Sequence, residues 1–122
     1  NSMVFDRSLV TEELIEERWE AAINPDARKT AQMMYGSAAF EMQQQFMAAS
    51  DTPPYWASMH KVACPTLLTW GRDDRVSPPD MAMAPMRLIP DAELHIFPKC
   101  GHWVMIEAKE AFEATVTSFL TR

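Results

Sequence analysis

Cys64-Pro65-Thr66-Leu67-Leu68-Thr69-Trp70-Gly71-Arg72-Asp73-Asp74-Arg75-Val76-Ser77-Pro78 is the stretch on which the fold turns. Thr66 to Trp70 form a short, nearly unbroken apolar and β-prone run, closed by Pro65 and Gly71. Such a run predicts a strand buried on both faces, as in a parallel sheet. Asp73 and Asp74 follow at its carboxyl end, where open α/β sheets place their chemistry, in the crevice beyond the strand ends.

Pro78 and Pro79 then open a helix at Pro79 or Asp80, with Met83, Met86 and Ile89 on one face and a break at Pro90. Pro85 removes one donor from it, which predicts a kink. Asp91 and Ala92 lead into Glu93-Leu94-His95-Ile96-Phe97, a second strand with Leu94, Ile96 and Phe97 buried, ended by Pro98. A strand, crossover helix, strand unit requires parallel pairing and a right-handed connection. The loop after Phe97 must therefore emerge on the same edge as the loop after Trp70.

That geometry sets Lys99-Cys100-Gly101-His102-Trp103 beside the two carboxylates. An acid and an imidazole meeting at the ends of adjacent parallel strands are the acid and base of a nucleophilic triad. His102 would take the proton of an attacking hydroxyl, while the carboxylate fixes the imidazole tautomer and stabilises the cation that develops. Periodicity cannot separate Asp73 from Asp74, because the strand has ended. His60 precedes a strand at the wrong end of the sheet, and His95 alternates with Leu94 and Ile96, so both read as structural or exposed. A last helix, from about Glu107 or Lys109 to Leu120, is expected to bury Phe112, Val116, Phe119 and Leu120 against the sheet.

The first fifty residues are helical and short of strand signals. Thr11 is a candidate N-cap, with Glu12 and Glu13 in the first turn. Leu14, Ile15, Trp19 and Ala22 mark an apolar face, and Arg18 emerges on or beside it, its head free to reach solvent or a neighbouring Glu. Asn24-Pro25 starts a second helix through Met33 and Met34 to Gly36. Ser37 opens a third, carrying Phe40, Gln44, Met47 and Ala48 as far as Ser50-Asp51-Thr52-Pro53-Pro54, which no helix would tolerate. The chain thus divides into a helical segment, 1–54, and an α/β segment, 55–122.

With 122 residues, 48% of them hydrophobic, the chain has the length and composition for one modest globular core. A formal charge of -6, without any Lys or Arg patch, argues against a nucleic-acid or anionic-membrane surface. Cys64 and Cys100 are placed at opposite ends of the sheet, beyond the Cα separation of about 7 Å that a disulfide spans. Free thiols fit a reducing, cytoplasmic setting. No run approaches the roughly 18 apolar residues of a membrane helix, and the N-terminus lacks the regions of a signal peptide.

W-G-R-D-D-R-V-S-P, L-I-P-D-A-E-L-H-I-F and K-C-G-H-W together resemble the carboxyl-terminal part of the meta-cleavage product hydrolases. These are the carbon–carbon bond hydrolases of the α/β-hydrolase superfamily that act in bacterial aromatic-compound and steroid-ring degradation. In that superfamily the acid commonly stands three residues after the Gly and four before a Pro, and Gly71, Asp74 and Pro78 match this spacing, so the resemblance selects Asp74. F-D-R-S-L-V-T-E-E-L-I-E-E-R-W-E resembles the start of the family's helical lid, with Arg18 at the position of the arginine that contacts the dienoate. Trp103 resembles a pocket-lining tryptophan, and Val76 falls where an apolar side chain usually touches substrate.

The resemblance implies the carboxyl-terminal part of an α/β-hydrolase fold, two parallel strands with crossover and terminal helices preceded by a lid. It implies hydrolysis of a vinylogous 1,5-diketone formed by ring cleavage, of the 2-hydroxy-6-oxo-hexa-2,4-dienoate type. The products are a 2-hydroxypenta-2,4-dienoate and a carboxylic acid, formed without metal or organic cofactor. Such a substrate is acidic, which suits the bidentate fork of an Arg. The family's nucleophile elbow, G-x-S-x-G before the lid, has no counterpart in the sequence. Cys100 is no substitute, since a residue two positions away on one loop cannot readily present its sulfur to His102. The expectation is a lid plus the last two strands, inactive without the amino-terminal half and prone to self-association through an unpaired sheet edge. Asp74 and His102 would equally serve ester or epoxide hydrolysis, and a non-catalytic remnant acting as an interaction module is the remaining alternative.

Overall fold

The structure is a computed structural model and describes residues 3–51 and 53–122. Asn1, Ser2 and Thr52, the last of these within the predicted Ser50–Pro54 break, lie outside the described residues. The chain divides into two compact units: Val10–Pro53, and the segment ending at Leu9 together with Pro54–Arg122. The amino-terminal segment, assigned by its sequence to the helices, thus groups with the α/β unit.

In the helical unit, α1 (Glu12–Ile23) begins where the Thr11 side chain accepts the Leu14 amide at 3.2 Å. α2 (Pro25–Tyr35) begins where the Asn24 side-chain Oδ1 accepts the amides of Asp26 at 2.9 Å and Ala27 at 3.2 Å, with Pro25 at the first position. Each cap satisfies donors that a helix start leaves without intrahelical partners. α3 (Ser37–Ala49) follows directly, and at the Gly36 junction a Cβ would stand 2.4 Å from the Gln32 carbonyl oxygen. None of the three helices has a buried residue, and Trp19 is 64% exposed. Their apolar faces are real in pattern but uncovered within this unit.

The α/β unit opens with a 3-10 turn at Arg7–Leu9 and resumes with a second at Tyr55–Lys61. β1 (Thr66–Gly71) and β2 (Ala92–Phe97) pair in parallel from Thr66 opposite Ala92 to Gly71 opposite Phe97. Between them runs α4 (Asp80–Leu88), which contains Pro85 and buries Ala82. A short α5 (Val104–Glu107) leads into α6 (Lys109–Leu120). The core is Phe97, Cys100 and Val104, with Ala108 and Phe112 packed against it; the Phe97 and Phe112 rings lie 6.4 Å apart and tilted, a favourable aromatic arrangement.

Three burial expectations need correction. β1 is half-buried up to Trp70, and Ile96 of β2 is exposed, because a two-stranded sheet covered by few elements cannot enclose both faces of either strand. Leu120 is 73% exposed rather than packed on the sheet. It is the last residue of its helix, and beyond it Arg122 folds back over the Phe119 ring and pairs with Glu93.

Candidate active site

Register places the site. With Gly71 opposite Phe97 in a parallel ladder, both strands release their chains at the same edge, and the ladder continues one step as the Arg72 amide donates to the Phe97 carbonyl at 2.9 Å. The Asp73 amide then donates to the Cys100 carbonyl at 2.9 Å, fastening one loop to the other. This approach leaves no room at Gly71, where a Cβ would lie 1.9 Å from the Gly101 carbonyl oxygen. The turn after β2 is made by Lys99 in the left-handed region, φ 54°, a conformation that costs any residue bearing a Cβ.

Across the two loops, Asp74 Oδ2 lies 2.9 Å from His102 Nδ1. Asp74 is 7% exposed. Its Oδ1 accepts the amides of Val76 at 2.8 Å and Ser77 at 2.9 Å, a local turn that fixes the carboxylate's orientation. The far end of the same loop is held by the Trp70 indole, which donates to the Ser77 carbonyl at 2.7 Å. Burial pushes the Asp74 pKa upward and is the largest single influence. The hydrogen bonds from Ser77, His102 and Val76, with the attraction of the imidazole, outweigh it and hold the carboxyl below its ordinary value. An ionised Asp74 accepts from Nδ1–H, so Nε2 is left with a lone pair on a side chain that is 36% exposed. That is the arrangement of a general base with its orienting carboxylate.

Of the residues singled out in the sequence, Asp74, Val76, His102 and Trp103 stand on these two adjoining loops. Asp73 does not compete for the imidazole, because its carboxylate pairs with Arg72 at 3.2 Å. Val76 is 46% exposed, and Trp103 is half-buried as the residue capping α5. Arg18 belongs to the helical unit, in α1, where it borders a hollow with Ala22 and Arg28. Cys100 is fully buried, and burial together with the charges of Glu107, Asp73 and Asp74 pushes its thiol up to about 11. It is an inert core residue rather than a nucleophile. His60 and His95 are exposed, the latter against Phe97 with ring centroids 4.4 Å apart and the rings tilted by 40°.

Sequence reasoning missed the groups that hold the histidine loop from behind. The His102 amide donates to the Met3 carbonyl at 2.8 Å. Glu107 accepts the Gly101 amide at 2.7 Å on one oxygen and the Phe5 and Asp6 amides at 2.6 and 3.1 Å on the other. Nothing in a local pattern joins residues about a hundred positions apart. The one cue was Gly101, whose missing Cβ would meet the Met3 carbonyl oxygen at 2.8 Å and Glu107 Oε2 at 2.9 Å.

Among known families, the one described as the alpha/beta hydrolase fold matches residues 5–109. The chain belongs to the alpha/beta hydrolase family. Among curated relatives of this alpha/beta hydrolase chain is a 2-hydroxy-6-oxo-6-phenylhexa-2,4-dienoate hydrolase of Burkholderia cepacia, 36% identical across 98% of this chain and 39% of that protein. A 2-hydroxy-6-oxononadienedioate/2-hydroxy-6-oxononatrienedioate hydrolase of Comamonas testosteroni gives the same figures, 36% identity over 98% of this chain and 39% of that protein. A solved meta-cleavage product hydrolase from Pseudomonas fluorescens superposes with a TM-score of 0.80 at 32% identity, over 98% of this chain and 42% of that one. The chain therefore spans about two fifths of the length of the relatives it matches. Among the described residues no cluster suited to a metal ion was found, and no helix is long and apolar enough to cross a membrane.

Proposed function

We propose that this chain supplies the acid–base pair and the lid helices of a hydrolase that cleaves a carbon–carbon bond in a 2-hydroxy-6-oxo-hexa-2,4-dienoate-type compound. The observation that carries the reading is the 2.9 Å contact of Asp74 with His102 at the rim shared by two parallel strands. The 36% identity to hydrolases named for such dienoates supports the substrate class.

In this mechanism His102 Nε2 receives the proton of a serine hydroxyl contributed from outside the 122 residues, as that oxygen attacks the ketone carbon. Asp74, kept ionised by its amide donors, stabilises the imidazolium and holds its tautomer. The proton then moves from Nε2 to the departing dienoate carbon, and water releases the carboxylic acid by the same base. Arg18 is assigned to the substrate's acidic end, for which a planar fork of donors is apt. Trp103 and Val76 are assigned to the apolar wall beside the reacting bond. Lacking the nucleophile, the isolated chain is inactive, and the open edges of its two-stranded sheet favour self-association.

The test is to assay the full-length protein carrying this sequence on a ring-fission dienoate and on a simple aryl ester. Faster turnover of the dienoate is expected. Equal or greater turnover of the ester would contradict the carbon–carbon assignment.

A further inference from the structure

We infer that Glu107 is a positioning residue for His102, clamping the histidine loop to the amino-terminal segment through both carboxylate oxygens. Three backbone donors converge on this one side chain: Gly101 N at 2.7 Å on Oε2, and Phe5 N at 2.6 Å and Asp6 N at 3.1 Å on Oε1. The Met3 carbonyl completes the clamp by accepting His102 N at 2.8 Å. The segment that Glu107 fastens thus itself holds the catalytic base's own amide. On the opposite side, Gly101 and Cys100 rest on Gly71, and Cys100 accepts from Asp73. The His102 backbone is fixed from both directions, and a loop fixed in this way presents its imidazole to Asp74 without spending binding energy on ordering.

The chemistry demands a carboxylate here. Three N–H groups point at two oxygens, and Gln at this position would turn an NH2 toward one or more amide hydrogens, leaving donor facing donor. Asp would be one methylene too short to span Gly101 and the Phe5–Asp6 amides together. The acid is also the last residue of α5, with only Ala108 between it and α6, so its reach is set by the helical backbone rather than by a free loop.

The experiment uses the full-length protein carrying this sequence, with Glu107→Gln compared against Phe112→Leu, a core change that removes none of the clamp's hydrogen bonds. The primary readout is the proton resonance of the His102 Nδ1–H bonded to Asp74. Glu107→Gln should lose or broaden that signal while Phe112→Leu retains it. The kinetic readout rests on the hydrolase reading above: Glu107→Gln should lower kcat by on the order of 10- to 100-fold with little change in KM. Because the proton signal needs no substrate, failure of the dienoate assignment leaves this test standing. An unchanged signal in Glu107→Gln, or equal loss of it in Phe112→Leu, would overturn the proposal. Should Glu107→Gln not fold, amide exchange in the wild type decides. Protection of Phe5, Asp6, Gly101 and His102 as one group supports the clamp, and fast, independent exchange refutes it.

Discussion

Asp74 sits almost out of water with both oxygens engaged, and its charge is held by two amides and an imidazole rather than by a cationic side chain. Because the folded state lowers its pKa, the stability it contributes is present above its unfolded value, near 3.9, and is lost as pH falls through the folded one. Denaturant titrations below about pH 4 should therefore show a steeper acid loss in the wild type than in Asp74→Asn. Cys100 offers a second check. With its thiol pushed up to about 11 and fully buried, it should resist alkylation at about pH 8, whereas exposed Cys64 should react. Reaction of both at similar rates would mean that the core around Phe97 is open. Lys99 pays for its left-handed turn, so Lys99→Gly should be more stable than Lys99→Ala by about 1 kcal/mol in urea unfolding.

The strand–helix–strand unit determines where these side chains meet. Parallel pairing was legible in the sequence, since a crossover helix between two short apolar runs admits no other arrangement of neighbouring strands. It followed that Asp74 and His102 would share an edge, and they do. The close approach at Gly71 tests that junction: Gly71→Ala must displace the Cys100–Gly101 backbone, and it should cost about 3 kcal/mol by denaturant titration and weaken the Asp74–His102 contact. The helix caps were equally readable, because Thr11 and Asn24-Pro25 act through neighbours in sequence. Asn24→Ala should cost about 1 kcal/mol and lower the helical circular dichroism signal. Glu107 was not readable, because a glutamate beside a helix start has an ordinary role in solvent and two of its three donors, Phe5 and Asp6, come from a segment about a hundred residues away. The exposure of Ile96 and Leu120 was misjudged for a related reason: hydrophobic pattern shows which face seeks cover, not whether a neighbour provides it.

The two compact units carry different parts of the account. The α/β unit holds the pair Asp74 and His102, while the helical unit holds Arg18 and a broad uncovered apolar surface including Met33, Met42 and Phe46. Light scattering on the isolated chain should show oligomers, and a well-behaved monomer would contradict the open-edge argument. The relatives matched are more than twice as long, and it is in the full-length protein that the catalytic claim is decided. The most direct measurement is a double-mutant cycle in kcat/KM on the ring-fission dienoate with Asp74→Asn, His102→Gln and the double variant. If the two residues act as one unit, the double variant is no slower than His102→Gln alone. Losses that simply add would contradict the account, for then the carboxylate and the imidazole work independently.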